Sequence, residues 1–271
     1  MTRPTDDDAR TAPAAAEALT EVRWTLAPSG ERLLMVDLHA PDLRRANLAA
    51  RRAAAAIAQA RLPFVVDIVP AMATVGIHYA LERVPFKRAD ASPYAVVERL
   101  IGACLDAAWQ GGDAAADAAR QANAPGRIVD IPVCYGGLHG PDLAAVAQSC
   151  GVSESELIRL HSATLVDVMM LGFAPGHPYI GLFDPALAVA RRATPRTSVA
   201  SGSVGLANRQ SVIYPTMLPG GWNVIGRTPL TLFDAERDVP CLVAAGDRVR
   251  FVPIGEDAFR AANEHAPRRA A

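Results

Sequence analysis

From Val22 onward the chain shows apolar and polar positions in short, readable patterns. Val22 to Leu26 and Leu33 to Leu38 flank Pro28-Ser29-Gly30-Glu31, which predicts a β-hairpin. Pro41-Asp42 opens an alanine- and arginine-rich stretch, Leu43 to Ala60, with proline placed for a helical first turn. The β-branched run Phe64 to Val69, ended by Pro70, predicts a strand, and Ala73 to Tyr79 predicts its return. Ser92-Pro93 is an N-cap signal ahead of Val96 to Trp109, where apolar residues recur at helical spacing. Two helices on one face of an antiparallel sheet follow: an α+β domain over residues 21–110.

The texture then changes. Gly-Gly, alanine and aspartate fill residues 111–126, the expected linker. Arg127 to Tyr135 predicts a strand, Pro141 to Cys150 and Ser153 to His161 two short helices, and Val166 to Leu171 another strand. Short β-branched runs separated by Gly and Pro come next: Ser198-Val199, Val212 to Tyr214, Trp222 to Ile225, Leu230 to Phe233 and Arg248 to Val252. Strands at such close spacing predict a mainly β barrel or sandwich over residues 127–255. A flexible leader, residues 1–20, and a C-terminal tail, residues 256–271, are expected outside the two domains.

Composition narrows the function. The 271 residues suit two domains, and 51% hydrophobic against 20% charged residues excludes a disordered protein. A net charge of −1 removes the footprint of a general nucleic-acid binder. The two short helices imitate a helix-turn-helix, but Glu154-Ser155-Glu156 is acidic where a recognition helix is basic, so a lid packed on the barrel is expected. No apolar run spans a bilayer and Asp6-Asp7-Asp8 stands where a signal peptide is basic, which makes a cytoplasmic location the expectation. Cys104, Cys134, Cys150 and Cys241 are scattered, with no histidine at metal-ligand spacing; they read as reduced, mostly buried hydrophobes, and no metal site is expected. Lys87 is the only lysine and lacks preceding glycines, so a P-loop, most Schiff-base chemistry and biotin attachment are excluded.

Three clusters carry candidate chemistry. Gly172 to Pro185 alternates Gly and Pro, predicting a stiff loop that displays Phe173, His177 and Tyr179. Pro195-Arg196 followed by Ser201-Gly202-Ser203-Val204-Gly205 fits either an ordinary turn or an anion-binding nest. Pro219 to Leu230 places Arg227 between Gly226 and Thr228-Pro229, as an anion fork or as a clamp to Asp234. His161, at a helix end, reads as a C-terminal capping residue.

Long motifs then occur in order: Ile131 to Gly137, Gly140 to Leu143, Leu160 to Ala163, Gly172 to Asp184, Gly202 to Gly205, Ile213 to Pro215 and Pro219 to Leu230. In these the chain resembles the bacterial 5-oxoprolinase B-subunit family, also called allophanate hydrolase subunit 1 or KipI-like, over about Val22 to Ile254. The resemblance implies a ferredoxin-like N-terminal domain, a cyclophilin-like barrel, and a share in ATP-dependent opening of 5-oxoproline to glutamate. It implies ATP with Mg held jointly with a partner of the C-subunit (KipA-like) type, and a LamB/YcsF-type protein is a further candidate partner. On that chemistry Arg196, Arg227 and His177 are the catalytic candidates. Ser201, Ser203 and Gln210 are expected to hydrogen-bond substrate, and Phe173, Pro175, Tyr179, Tyr214 and Trp222 to wall the site. A carboxyltransferase-like module of a biotin-dependent urea carboxylase and a histidine-kinase inhibitor are the alternatives. This chain departs from the family's usual residues at Leu138, His139, His177, Asn208 and Val212.

Overall fold

The computed structural model describes residues 22–110 and 126–265. The chain divides into two compact units, Met1–Ala124 and Pro125–Ala271. The expected leader and all of the expected linker but Gly126 lie outside the described residues.

In the first unit, strands β1 (Arg23–Pro28), β2 (Leu33–His39), β3 (Val65–Pro70) and β4 (Thr74–Tyr79) form an antiparallel sheet in the order β1-β2-β4-β3. Helices α1 (Leu43–Gln59) and α2 (Pro93–Trp109) pack on it. Both start where the caps predict: Asp42 Oδ1 accepts from Arg45 N at 2.8 Å and Ser92 Oγ from Ala95 N at 3.1 Å, each cap stabilising its helix by about 1 kcal/mol. Alternate residues Leu34, Val36 and Leu38 of β2 meet Ala49, Ala53 and Ile57 of α1 and Val97, Ile101 and Leu105 of α2 in one core. Buried Asn47 donates to the carbonyls of Ala71 and Met72, both at 3.2 Å, and so ties α1 to the β3–β4 turn.

The second unit is a closed barrel. Its strands are β5 (Ile128–Tyr135), β6 (Val166–Leu171), β7 (Pro178–Gly181), β9 (Ser203–Ala207), β10 (Gln210–Ile213), β12 (Asn223–Arg227) and β13 (Arg248–Pro253), running β10-β7-β6-β13-β5-β12-β9 around the wall. Only β5 and β13 pair in parallel, in register from Ile128↔Arg248 to Val133↔Pro253. Inward positions Ile131, Val133, Val168, Ile180, Val204, Leu206, Ile225 and Phe251 fill the lumen as a packed core. Helices α3 (Leu143–Cys150) and α4 (Glu154–Ser162) add Leu143, Val146 and Leu157 to it, as a lid does. A ribbon of β8 (Arg196–Val199) and β11 (Leu218–Gly220) forms a separate two-stranded sheet. Outward Ala207, Val212 and Val224 carry a second apolar cluster with Val199, Tyr214 and Trp222.

Four expectations need correction. The stiff loop over Gly172 to Pro185 contains strand β7; its turn proper is residues 172–177, closed by Gly172 N to His177 O at 3.1 Å. The Ser203 to Gly205 turn is the start of β9. Leu230 to Phe233 is not a strand and contributes one isolated bridge, Phe233 to Cys241. The supposed tail begins with helix α5, Glu256–His265, whose Phe259 is buried.

Candidate functional site

Gly205 has no side chain where a Cβ would stand 2.7 Å from the Cβ of Trp222, so the indole can lie directly on the outer wall of the barrel. Beside it opens a cavity of about 270 Å³ lined by Phe173, His177, Tyr179, Arg191, Pro195, Tyr214, Pro219 to Gly221 and Trp222. The β6–β7 hairpin delivers the first three: Phe173 and Gly176 adopt positive φ (75° and 72°) at its tip, and a Cβ on Gly176 would meet Phe233 Cβ at 2.7 Å. Tyr214 follows β10, and Gly220 leaves room for its ring, since a Cβ there would overlap the phenol oxygen.

The walls are aromatic. His177 is 1% exposed, with ring centres 5.4 Å from Phe173, 5.1 Å from Tyr179 and 5.4 Å from Tyr214, the last edge-on at 89°. Burial pushes its imidazole down to about 4, so it is neutral at pH 7. Its Nδ1 and the Tyr214 hydroxyl oxygen are buried and make no well-aligned hydrogen bond, the nearest backbone groups being those of His177 itself and of Trp222. Burial likewise raises the Tyr214 hydroxyl above its ordinary range. The Arg191 guanidinium lies 4.6 Å over the Trp222 ring. Two buried polar atoms without well-aligned partners and one cation thus stand on otherwise apolar walls.

One carboxylate holds the surrounding segments in place. Asp142, ahead of α3, accepts from Arg196 Nη1 and Nη2 (both 2.8 Å), Arg192 Nη1 (3.0 Å) and the amide of Val224 (2.7 Å). Burial alone would raise its carboxyl, but the Arg196 hydrogen bonds, the Val224 amide and the two arginine charges hold it below the usual range. This fastens the segment bearing Arg191 and Pro195 to the strand that follows Trp222.

The cavity gathers Phe173, His177, Tyr179, Tyr214 and Trp222 from the expected residues, and adds Arg191, which the sequence reading missed. The others are placed elsewhere. Arg196 commits its fork to Asp142. Arg227 makes neither the expected clamp to Asp234 nor a cavity wall; its Nε donates to the Ser201 carbonyl at 2.8 Å. The Ser201 hydroxyl donates to Pro215 O at 2.9 Å, and exposed Pro175 and half-buried Gln210 lie outside the lining. The nest reading is corrected: Gly202 N donates to Tyr214 O at 2.7 Å and Ser203 N to Ala200 O at 3.2 Å, leaving those amides engaged. His161 caps nothing. It is fully buried in the barrel, with Nδ1 2.8 Å from Tyr135 Oη and Nε2 2.8 Å from Ser211 Oγ. All four cysteines are free, and of them Cys134 alone is buried.

Comparison with known proteins places this architecture. Residues 24–243 match the family model of the carboxyltransferase domain, subdomain C and D. The B subunit of 5-oxoprolinase from Bacillus subtilis (strain 168) is 35% identical over 247 residues, covering 90% of this chain and 99% of the relative. The solved structure of TTHA0988 superposes with a TM-score of 0.65 at 30% identity, covering 83% of this chain but 40% of that one. K. lactis urea amidolyase shares the fold, with a TM-score of 0.71 at 16% identity over 89% of this chain and 15% of its own. Among the described residues no helix is long and apolar enough to cross a membrane.

Proposed function

The chain belongs to the carboxyltransferase subdomain C and D family and, within it, to the relatives of the 5-oxoprolinase B subunit; from that premise we propose that it is one subunit of a heteromeric, ATP-dependent cyclic-amide hydrolase that opens 5-oxoproline to L-glutamate. The observation that carries the reading is the outer-wall cavity. 5-Oxoproline is a small lactam ring bearing one carboxylate. Tyr179 and Trp222 offer apolar faces to the ring, Arg191 meets the carboxylate, and neutral His177 offers Nδ1 to the amide. We read the N-terminal domain as ferredoxin-like: its sheet order is that of the βαββαβ motif permuted to begin at the last strand. The barrel is read as cyclophilin-like.

The outer-wall cavity does not fit a whole nucleotide. At about 270 Å³ the cavity lies below the usual range for larger ligands, and the sequence has no P-loop. ATP with Mg is therefore assigned to a site completed by a partner of the C-subunit (KipA-like) type, with a LamB/YcsF-type protein as third member. That TTHA0988 and urea amidolyase carry this module within longer chains supports such a partner. In the assembled complex, Arg191→Ala is expected to lower turnover of 5-oxoproline at least about tenfold, the effect of losing one charge-assisted hydrogen bond. Undiminished glutamate release in that variant, or turnover by the isolated chain, sinks the reading. Co-purification with a biotin carboxylase in place of these partners would favour the carboxyltransferase alternative, which rests on the family model.

A further inference from the structure

Away from the cavity, a second group of side chains converges at one end of the barrel. Cys134 lies near the end of β5. The chain then reverses through Gly136 and Gly137, both at positive φ (71° and 51°), with His139 N donating to Gly136 O at 3.0 Å, and this turn brings the imidazole back over the strand. The parallel β5–β13 ladder runs to Val133↔Pro253 and is extended by Ile254 N to Val133 O at 2.9 Å. That pairing sets the first residue of α5, Glu256, beside Cys134. Phe259, one turn further along α5, packs on the His139 ring with centres 4.2 Å apart. His139 Nε2 stands 2.8 Å from Glu256 Oε2, Cys134 Sγ stands 3.8 Å from the same oxygen, and all three donor atoms lie within 4.8 Å of one another.

We propose that Cys134 Sγ, His139 Nε2 and Glu256 Oε2 form a zinc-class divalent metal site with one coordination position left open. Nothing in the cavity chemistry requires it, and Glu256 falls outside the residues matched by the family model. The donor set decides the metal class: magnesium and calcium take oxygen ligands, whereas one sulfur, one imidazole and one carboxylate suit zinc. Three protein ligands with a free fourth position is the arrangement of a reactive metal centre. Tetrahedral bonds of about 2.0 to 2.3 Å separate ligand atoms by roughly 3.3 to 3.7 Å, so the hydrogen-bonded pair opens by about half an ångström, while the sulfur, 3.8 Å from the carboxylate oxygen, already stands near that spacing. Glu256 has the freedom to move: its side chain is 53% exposed and its other oxygen is held only by Arg260 at 3.5 Å. On binding, the thiol proton passes to solvent, the proton that His139 Nε2 shares with Glu256 leaves for Nδ1 or solvent, and the metal takes their place.

A nucleophilic-cysteine reading fits less well. The carboxylate, not the imidazole, adjoins the sulfur, and burial together with that negative charge pushes the thiol up, opposite to an activated thiolate.

The test is titration of the purified, tag-free full chain with Co(II) alone. The expected result is one Co(II) per chain with a thiolate-to-cobalt charge-transfer band, displaced by Zn(II). Cys134→Ser and His139→Ala should abolish the band, Cys150→Ser should keep it, and Glu256→Gln should weaken Zn(II) binding by more than about tenfold, the loss found even for outer-shell partners. Absence of the band in the wild type, or its persistence in Cys134→Ser, overturns the site. Should the first two variants fail to fold by circular dichroism, the exposed Glu256→Gln decides, and unchanged affinity there overturns it as well.

Discussion

His161 and His177 are both buried among aromatic rings in one barrel, and they differ in what happens to their nitrogens. Inside the lumen, Ser211 gives its only proton to the Gly205 carbonyl at 2.8 Å, so His161 Nε2–H must donate to Ser211 and Nδ1 must accept from Tyr135. The ring stacks on Phe183 at 4.6 Å and 9°, and every polar atom of the relay is paired. On the outer wall, His177 has the rings but no well-aligned partner for Nδ1. A closed network specifies a fold; an open one keeps hydrogen-bonding capacity for a ligand.

The contrast breaks first at His161. His161→Ala removes a stacked ring, strands the Tyr135 hydroxyl and leaves Ser211 only its bond to Gly205, and is expected to cost about 3 to 5 kcal/mol in urea unfolding. A loss under about 1 kcal/mol would mean the lumen is not closed. Tyr135→Phe leaves His161 Nδ1 unpaired and should cost about 1 to 3 kcal/mol, with cavity binding unchanged.

Acid sharpens the comparison. Burial lowers His161 to about 3 and His177 to about 4 from 6.5, so the unfolded chain binds more protons as pH falls below 6.5. Stability should therefore drop by about 1.4 kcal/mol per pH unit for each histidine, His177 ceasing to contribute near pH 4 and His161 near pH 3. Denaturation curves of His177→Phe should lose the His177 share of the slope and keep that of His161 and of the lowered carboxyls such as Asp142; an unchanged slope would show that His177 is not buried neutral. Last and smallest in stability is His177→Phe itself, expected within about 1 kcal/mol of wild type at pH 7 because it removes a buried polar atom without a well-aligned partner. Its effect belongs to the complex, where turnover of 5-oxoproline should fall; full activity would remove His177 from the site.

Legibility followed the range of the interactions. Asp42, Ser92 and Pro93 announce α1 and α2 because a cap is decided within four residues. Strands β7 and β9 were hidden because the wall is buried on both faces, as in the all-buried run Ser203 to Ala207, so no alternation shows, and glycine serves there to admit Trp222. The aromatic members of the cavity stood out by residue type. Arg191 did not, since only the fold separates it from Arg192, one stacked over Trp222 and the other tied to Asp142. Arg196 and Arg227 drew attention through their Gly/Pro settings, which serve tight backbone packing: Gly202 O accepts from Thr228 N at 2.9 Å.

The single parallel seam between β5 and β13 also has a price in time. Its partners are about 120 residues apart in sequence, as Asp130↔Arg250 shows, so the seam is a contact of very high order and its loop entropy is lost before any contact compensates. During synthesis β5 emerges early and waits, its edge bare, until Arg248 to Pro253 leave the ribosome. Chains halted before Arg248 should be recovered as aggregates, whereas chains reaching Pro253 should be recovered soluble.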